Sequence, residues 1–222
     1  MKNMQPIILL VACVIYCSGT VAVEFSGADM TVDKNNRVCV APDRDGLTSC
    51  ITLLVEGEIQ KGDAGRLLER FSRLPPDTRI GKIHFNSPGG DLFEAMRLGR
   101  LIRSKMIITQ VTHDSSCYSA CVIAFLGGVM RLPVGPIGIH SFYSEDFIGS
   151  TNYAEASERY NEISSEVEDY LKELRIPVSL LDEMKKVPHY NLKIFDGGFS
   201  GELGRHGVFG IDPVYAQVKE KK

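Results

Sequence analysis

Two side chains in this 222-residue chain could together attack an acyl carbon. Ser119 stands in Cys117-Tyr118-Ser119-Ala120-Cys121, and His140 closes the run Ile137-Gly138-Ile139-His140. A serine hydroxyl is a weak nucleophile until a base takes its proton, and imidazole is the side chain best suited to do so near neutral pH. A serine that opens a helix also gains from the helix dipole, and the next N–H can donate to an oxyanion. Upstream, Ser87-Pro88-Gly89-Gly90 offers paired glycines whose N–H groups can point into open space, a second oxyanion donor. Each feature has a plainer reading, respectively a helix cap, a structural histidine and a Pro-Gly-Gly turn. Their combination and order carry the argument.

The elements that must position these groups can be read from hydrophobic spacing. Cys50 to Val55 is a β-branched apolar run, and Asp63 to Leu74 has Leu67, Leu68 and Phe71 on one helical face before Pro75-Pro76. Ile80 to Phe85 is a strand that runs into the Asn86 to Gly90 loop, and a helix starts near Asp91. Met106 to Val111 is a strand, Ser119 to Phe125 a small-residue helix, and Ile137 to His140 a strand ending on the imidazole. Strands alternating with helices imply parallel pairing through right-handed crossovers, an α/β fold. Asn152 to Leu174 is a long helix with Asn152 and Glu155 as its cap and Tyr153, Tyr160, Ile163, Val167, Tyr170 and Leu174 as its apolar stripe. A shorter helix covers Ser179 to Lys185, and a glycine-rich stretch runs from His189 to Pro213. Residues 23–218 read as one domain without repeats.

The order glycine turn, helix-opening serine, strand-ending histidine resembles the proteolytic subunit of the Clp protease, and more broadly the Clp-protease/crotonase superfamily. The resemblance covers roughly Ile51 to Asp212 and is sharpest at Phe85 to Asp91, Tyr118-Ser119-Ala120 and Ile137 to His140. It is nearest to uncharacterised periplasmic proteins related to that subunit, which carry a Cys-x-Ser-Ala-Cys motif. It implies a mostly parallel sheet with a long helix near the C-terminus. It further implies Ser119 as nucleophile, His140 as base, and the N–H groups of Gly89 and Ala120 as oxyanion hole, with Gly90 the alternative donor. For the third triad member the resemblance offers Asp196, counted back from Ser200-Gly201-Glu202, or Asn191. The implied activity is that of a serine peptidase acting on unfolded peptides, with no cofactor. The implied assembly is a homo-oligomer in which the long helix packs between subunits. Crotonase-type thioester chemistry would need coenzyme A, which is absent outside the cytoplasm. The competing function is a binding or assembly protein of the same fold in which Ser119 only caps a helix.

Location and redox state follow from the N-terminus and the cysteines. Lys2, the apolar run Ile7 to Tyr16 and the ending Thr20-Val21-Ala22 read as a signal peptide, residues 1–22, for export to the periplasm. Alternatives are an uncleaved anchor over residues 7–23 or lipidation at Cys13. Cleavage leaves Cys39, Cys50, Cys117 and Cys121, which pair in three ways, Cys39 with Cys50 and Cys117 with Cys121 being the simplest. A zinc site built from Cys117, Cys121 and His113 or His140 is the competing reading. A formal net charge of −3 with scattered basic residues gives no case for nucleic acid. No ATP-driven unfoldase partner is expected outside the cytoplasm.

Overall fold

A computed structural model of the chain describes residues 29–33, 49–76, 78–142, 152–198 and 201–213. The expected leader, Cys39 and the residues from 214 onward lie outside these.

The β-branched run first read at Cys50 becomes β2 (Ser49–Glu56), flanked on one side by β1 (Asp29–Asp33) and on the other by β3 (Thr78–Asn86). The sheet continues through β4 (Ile108–Val111) and β6 (Met130–Pro133) to β9 (Gly210–Ile211), giving the order β1-β2-β3-β4-β6-β9. The four inner strands are parallel, while β1 and β9 close the edges antiparallel. Parallel neighbours require crossovers, and α1 (Asp63–Ser72) and α2 (Leu92–Ser104) supply them. Leu53, Val55, Ile83 and Phe85 are paired across β2 and β3 on one face and shielded from solvent, while Thr52, Lys82 and His84 are buried on the other.

A second, smaller sheet carries the chemistry-bearing segments. It contains β5 (Cys117–Tyr118), β7 (Ile137–Ile139) and β8 (Lys193–Phe195), in the order β5-β7-β8. A single bridge between Ser87 and Cys117 ties it to the end of β3. Between β5 and β6 the chain forms α3 (Ala120–Phe125), every residue of which is buried.

The long helix is α4 (Tyr153–Glu173), and the Asn152 side chain accepts from the Glu155 N–H at 3.3 Å as the cap spacing predicts. Its stripe divides into two halves. Ile163, Val167 and Tyr170 are buried in the protein's own core, whereas Tyr153 is 82 % exposed. Tyr170 donates to the Ile123 carbonyl at 2.7 Å, and its hydroxyl lies where a Cβ on Gly99 would be, so α2, α3 and α4 meet at this phenol. Burial pushes its ionisation well above the usual phenol range, keeping it a donor. Tyr170 thus belongs to the protein's own core and not to an outward stripe shared with Tyr153, a correction to the expected stripe of three tyrosines. The chain then forms α5 (Ser179–Lys185), β8 and α6 (Gly201–Arg205). Arg103 of α2 and Arg175 both pair with Asp212, fastening β9 to the helices.

Candidate active site

Ser119 is the N-cap of α3, yet its side chain makes no capping hydrogen bond. Its backbone has φ 55° and ψ −128°, a left-handed conformation for a residue that is not glycine. Such conformations cost on the order of 1–3 kcal/mol and persist where surrounding structure over-determines them. Here it does. The Ser119 N–H donates to the Gly138 carbonyl at 2.8 Å, and its own carbonyl accepts from Val122 at 3.0 Å. Cys117 and Cys121 form a disulfide across the serine, with Cα atoms 5.3 Å apart. This is the pairing read from the sequence. It consumes both thiols that the competing zinc site needed. Cys50 is also disulfide-bonded, and its expected partner Cys39 lies outside the described residues.

The glycine turn presses against the serine. A Cβ on Gly89, whose φ is +113°, would lie 2.7 Å from Ser119 Cβ and 2.8 Å from the Tyr118 carbonyl oxygen. Only glycine fits there. The buried Gly89 N–H donates to Ser87 Oγ at 3.2 Å, while the neighbouring Gly90 is exposed and lines the pocket. Gly138 is also tightly placed: a Cβ there would come 2.6 Å from the Tyr118 ring, which would have to shift.

The opposite wall holds His140, the base expected from the sequence. His140 follows β7, is half-buried, and its Nδ1 lies 2.7 Å from the Ser141 carbonyl oxygen. A carbonyl can only accept, so Nδ1 is the donor in this bond. Ser141 in turn donates its N–H to the Val187 carbonyl at 2.8 Å, anchoring this segment to the turn after α5. Ser119, Ala120, His140 and Gly90 line one solvent-open cavity of about 350 Å³, closed by Leu92, Phe142 and Met184. The side chains read from the sequence as nucleophile and base thus face the same space.

Asp196 does not join them. β8 runs antiparallel to β7 with Ile137 opposite Phe195, Gly138 opposite Ile194 and Ile139 opposite Lys193. One step further places Leu192 opposite His140, and Asp196 beyond the other end of β7. Four residues of strand, about 13 Å, separate those positions. Asp196 is exposed where it stands. Asn191, the other candidate, adjoins Leu192 at the His140 end, and its N–H closes a turn onto Pro188 at 2.9 Å. The polar partner that the structure gives Nδ1 is the Ser141 carbonyl, a group invisible to any search for acidic residues.

β8 is held by Lys193, whose ammonium reaches Glu183 at 3.2 Å and Glu202 at 2.9 Å. Lys186 and Lys193 lower the Glu183 carboxyl to about 2.

No protein-family model matches the chain, and no curated protein matches it either. Solved structures do. A ClpP1 variant from Listeria monocytogenes superposes with a TM-score of 0.51 at 16 % identity, covering 71 % of this chain and 88 % of that one. The chain has a Clp-protease-like fold: mixed α/β, with a mostly parallel sheet.

Proposed function

We propose that the chain is an exported serine hydrolase that cleaves unfolded peptides. The observation that carries this reading is the state of Ser119. A serine kept only to cap α3 would adopt ordinary cap geometry and accept from the helix N–H groups. Ser119 makes no cap bond, holds a costly backbone conformation, and shares a cavity with a histidine whose Nδ1 lies against the Ser141 carbonyl. Strain that yields no cap is the signature of a displayed side chain.

In the proposed reaction Ser119 Oγ attacks the acyl carbon as His140 Nε2 takes its proton. The Ala120 N–H and the Gly89–Gly90 turn hold the developing oxyanion. His140 then returns the proton to the leaving amine, and water, deprotonated by the same imidazole, releases the acyl group. The Ser141 carbonyl orients the ring and supports the imidazolium as it forms. Leu92, Phe142 and Met184 give the cavity an apolar wall suited to an apolar side chain of an extended peptide. The disulfides fit an oxidising compartment such as the periplasm. The exposed N-terminal half of α4, led by Tyr153, is the surface through which we infer self-association.

Hydrolysis of a panel of fluorogenic peptides and activated esters tests the reading. The wild-type chain turns over at least one class, and Ser119→Ala loses that turnover with an unchanged melting temperature. Turnover that survives in Ser119→Ala overturns the assignment.

A further inference from the structure

The disulfide between Cys117 and Cys121 encloses Ser119 and is itself out of a substrate's reach, since both cysteines are fully buried. The elements it joins are short. β5 has two residues and α3 has six, and neither length holds its own geometry in isolation. Between them stands the one residue of the cavity wall that is not glycine and has a positive φ. The hydrogen bonds from Ser119 to Gly138 and from Val122 to Ser119 define one edge of this turn, and the S–S bond spans the other.

We propose that Cys117 and Cys121 are positioning residues: their disulfide holds Ser119 in the left-handed conformation that displays its hydroxyl, so the site is fully assembled only in the oxidised chain. The proposal rests on the reading of Ser119 as nucleophile. Without the crosslink, β5 and the first turn of α3 can move relative to one another. Ser119 then relaxes toward negative φ, turning its hydroxyl and the Ala120 N–H away from a common substrate position. Strain of this kind corresponds to one or two tenfold steps in the population of the displayed form. The loss falls on kcat, because the groups that line the rest of the cavity are untouched.

The chain can be prepared under reductant, with Cys117 and Cys121 as thiols, and then oxidised by glutathione disulfide. In that step two S–H bonds give up two protons and two electrons, one S–S bond forms, and the oxidant leaves as two glutathione thiols. Three quantities are compared in both forms: the rate of labelling by a fluorophosphonate, kcat and KM for an ester, and amide exchange at residues 119–122. Oxidation is expected to raise labelling and kcat at least about tenfold, with KM within about twofold, and to slow exchange across the turn. The Cys117→Ala/Cys121→Ala variant should behave as the dithiol and ignore the oxidant, although the disulfide of Cys50 can still form in it. Equal labelling and equal exchange in the two forms overturn the proposal. A wild-type chain that is never labelled overturns the nucleophile reading instead, and exchange at residues 119–122 then decides by itself whether the crosslink holds the turn.

Discussion

The two walls of the cavity are built to different standards. On the wall proposed to hold the nucleophile, Ser119 is fixed by a disulfide, two backbone hydrogen bonds and the close approach of two glycines, Gly89 and Gly138. On the base wall, His140 stands at a strand end with the carbonyl of its own neighbour as partner, and the aspartate expected behind it is absent from that place. In the proposed mechanism the nucleophile must be placed to a fraction of an ångström, and the covalent crosslink on the first wall suits that demand. An imidazole needs mainly the right tautomer and a roughly correct plane, which one carbonyl can set. The difference suggests a site whose precision lies on the serine side.

The largest expected effect removes either reacting group. Ser119→Ala and His140→Ala should each cost roughly 10⁴-fold or more in kcat, and the double variant scarcely more, because members of one catalytic unit are not additive. Steady-state kinetics on one ester checks this. A fall in Ser119→Ala without an equal one in His140→Ala would break the pairing of the two walls.

A smaller but still large effect should follow from crowding the nucleophile wall. Gly138→Ala drives a methyl group into the Tyr118 ring, next to the carbonyl that holds Ser119. A displacement of about 1 Å at the reacting centre costs roughly 10²-fold, so kcat should fall by about that much. Gly65→Ala, at an exposed glycine of α1 with open space around it, serves as the control and should leave kcat unchanged. Equal effects of the two would show that the fit at Gly138 does not govern the serine.

On the base wall, Asp196→Asn should change kcat by less than about twofold, against the roughly 10⁴-fold loss seen when a true triad aspartate is replaced. A large loss would show that the register of β7 and β8 had been misjudged. The smallest effect concerns the anchorage of β8. Glu183 ionises far below a free glutamate because Lys186 and Lys193 stand beside it, so this anchorage is present above the ordinary glutamate range. It is lost as pH falls through about 2. The melting temperature of Lys193→Ala should therefore lie slightly below wild type at neutral pH and converge with it in strong acid, as differential scanning fluorimetry across pH can show.

Much of this was legible in the sequence, for physical reasons that also mark where reading stopped. The alternating apolar runs gave the parallel sheet and its crossover helices, because strands covered on both faces read as nearly continuous apolar stretches such as Ile51 to Val55. The motifs around Ser119 and His140 are short and local, so their places at a helix start and a strand end survive folding unchanged. Asp196 failed because its place depends on strand register, which pairing decides and chain order does not show. The inward turn of Tyr170 was equally hidden, since a stripe on α4 does not say which part of it the protein keeps for itself. β6 escaped notice because Gly127 and Gly128 before it and Pro133 at its end read as turn residues.

The central claim is that Ser119 is a nucleophile activated by His140, and one measurement bears on it most directly. The oxidised, purified chain is treated with a fluorophosphonate, digested, and mapped by mass spectrometry. The account predicts a single phosphonyl adduct on the peptide that contains Ser119, absent from Ser119→Ala and strongly reduced in His140→Ala. No adduct, or an adduct on Ser119 that forms equally fast in His140→Ala, would contradict it.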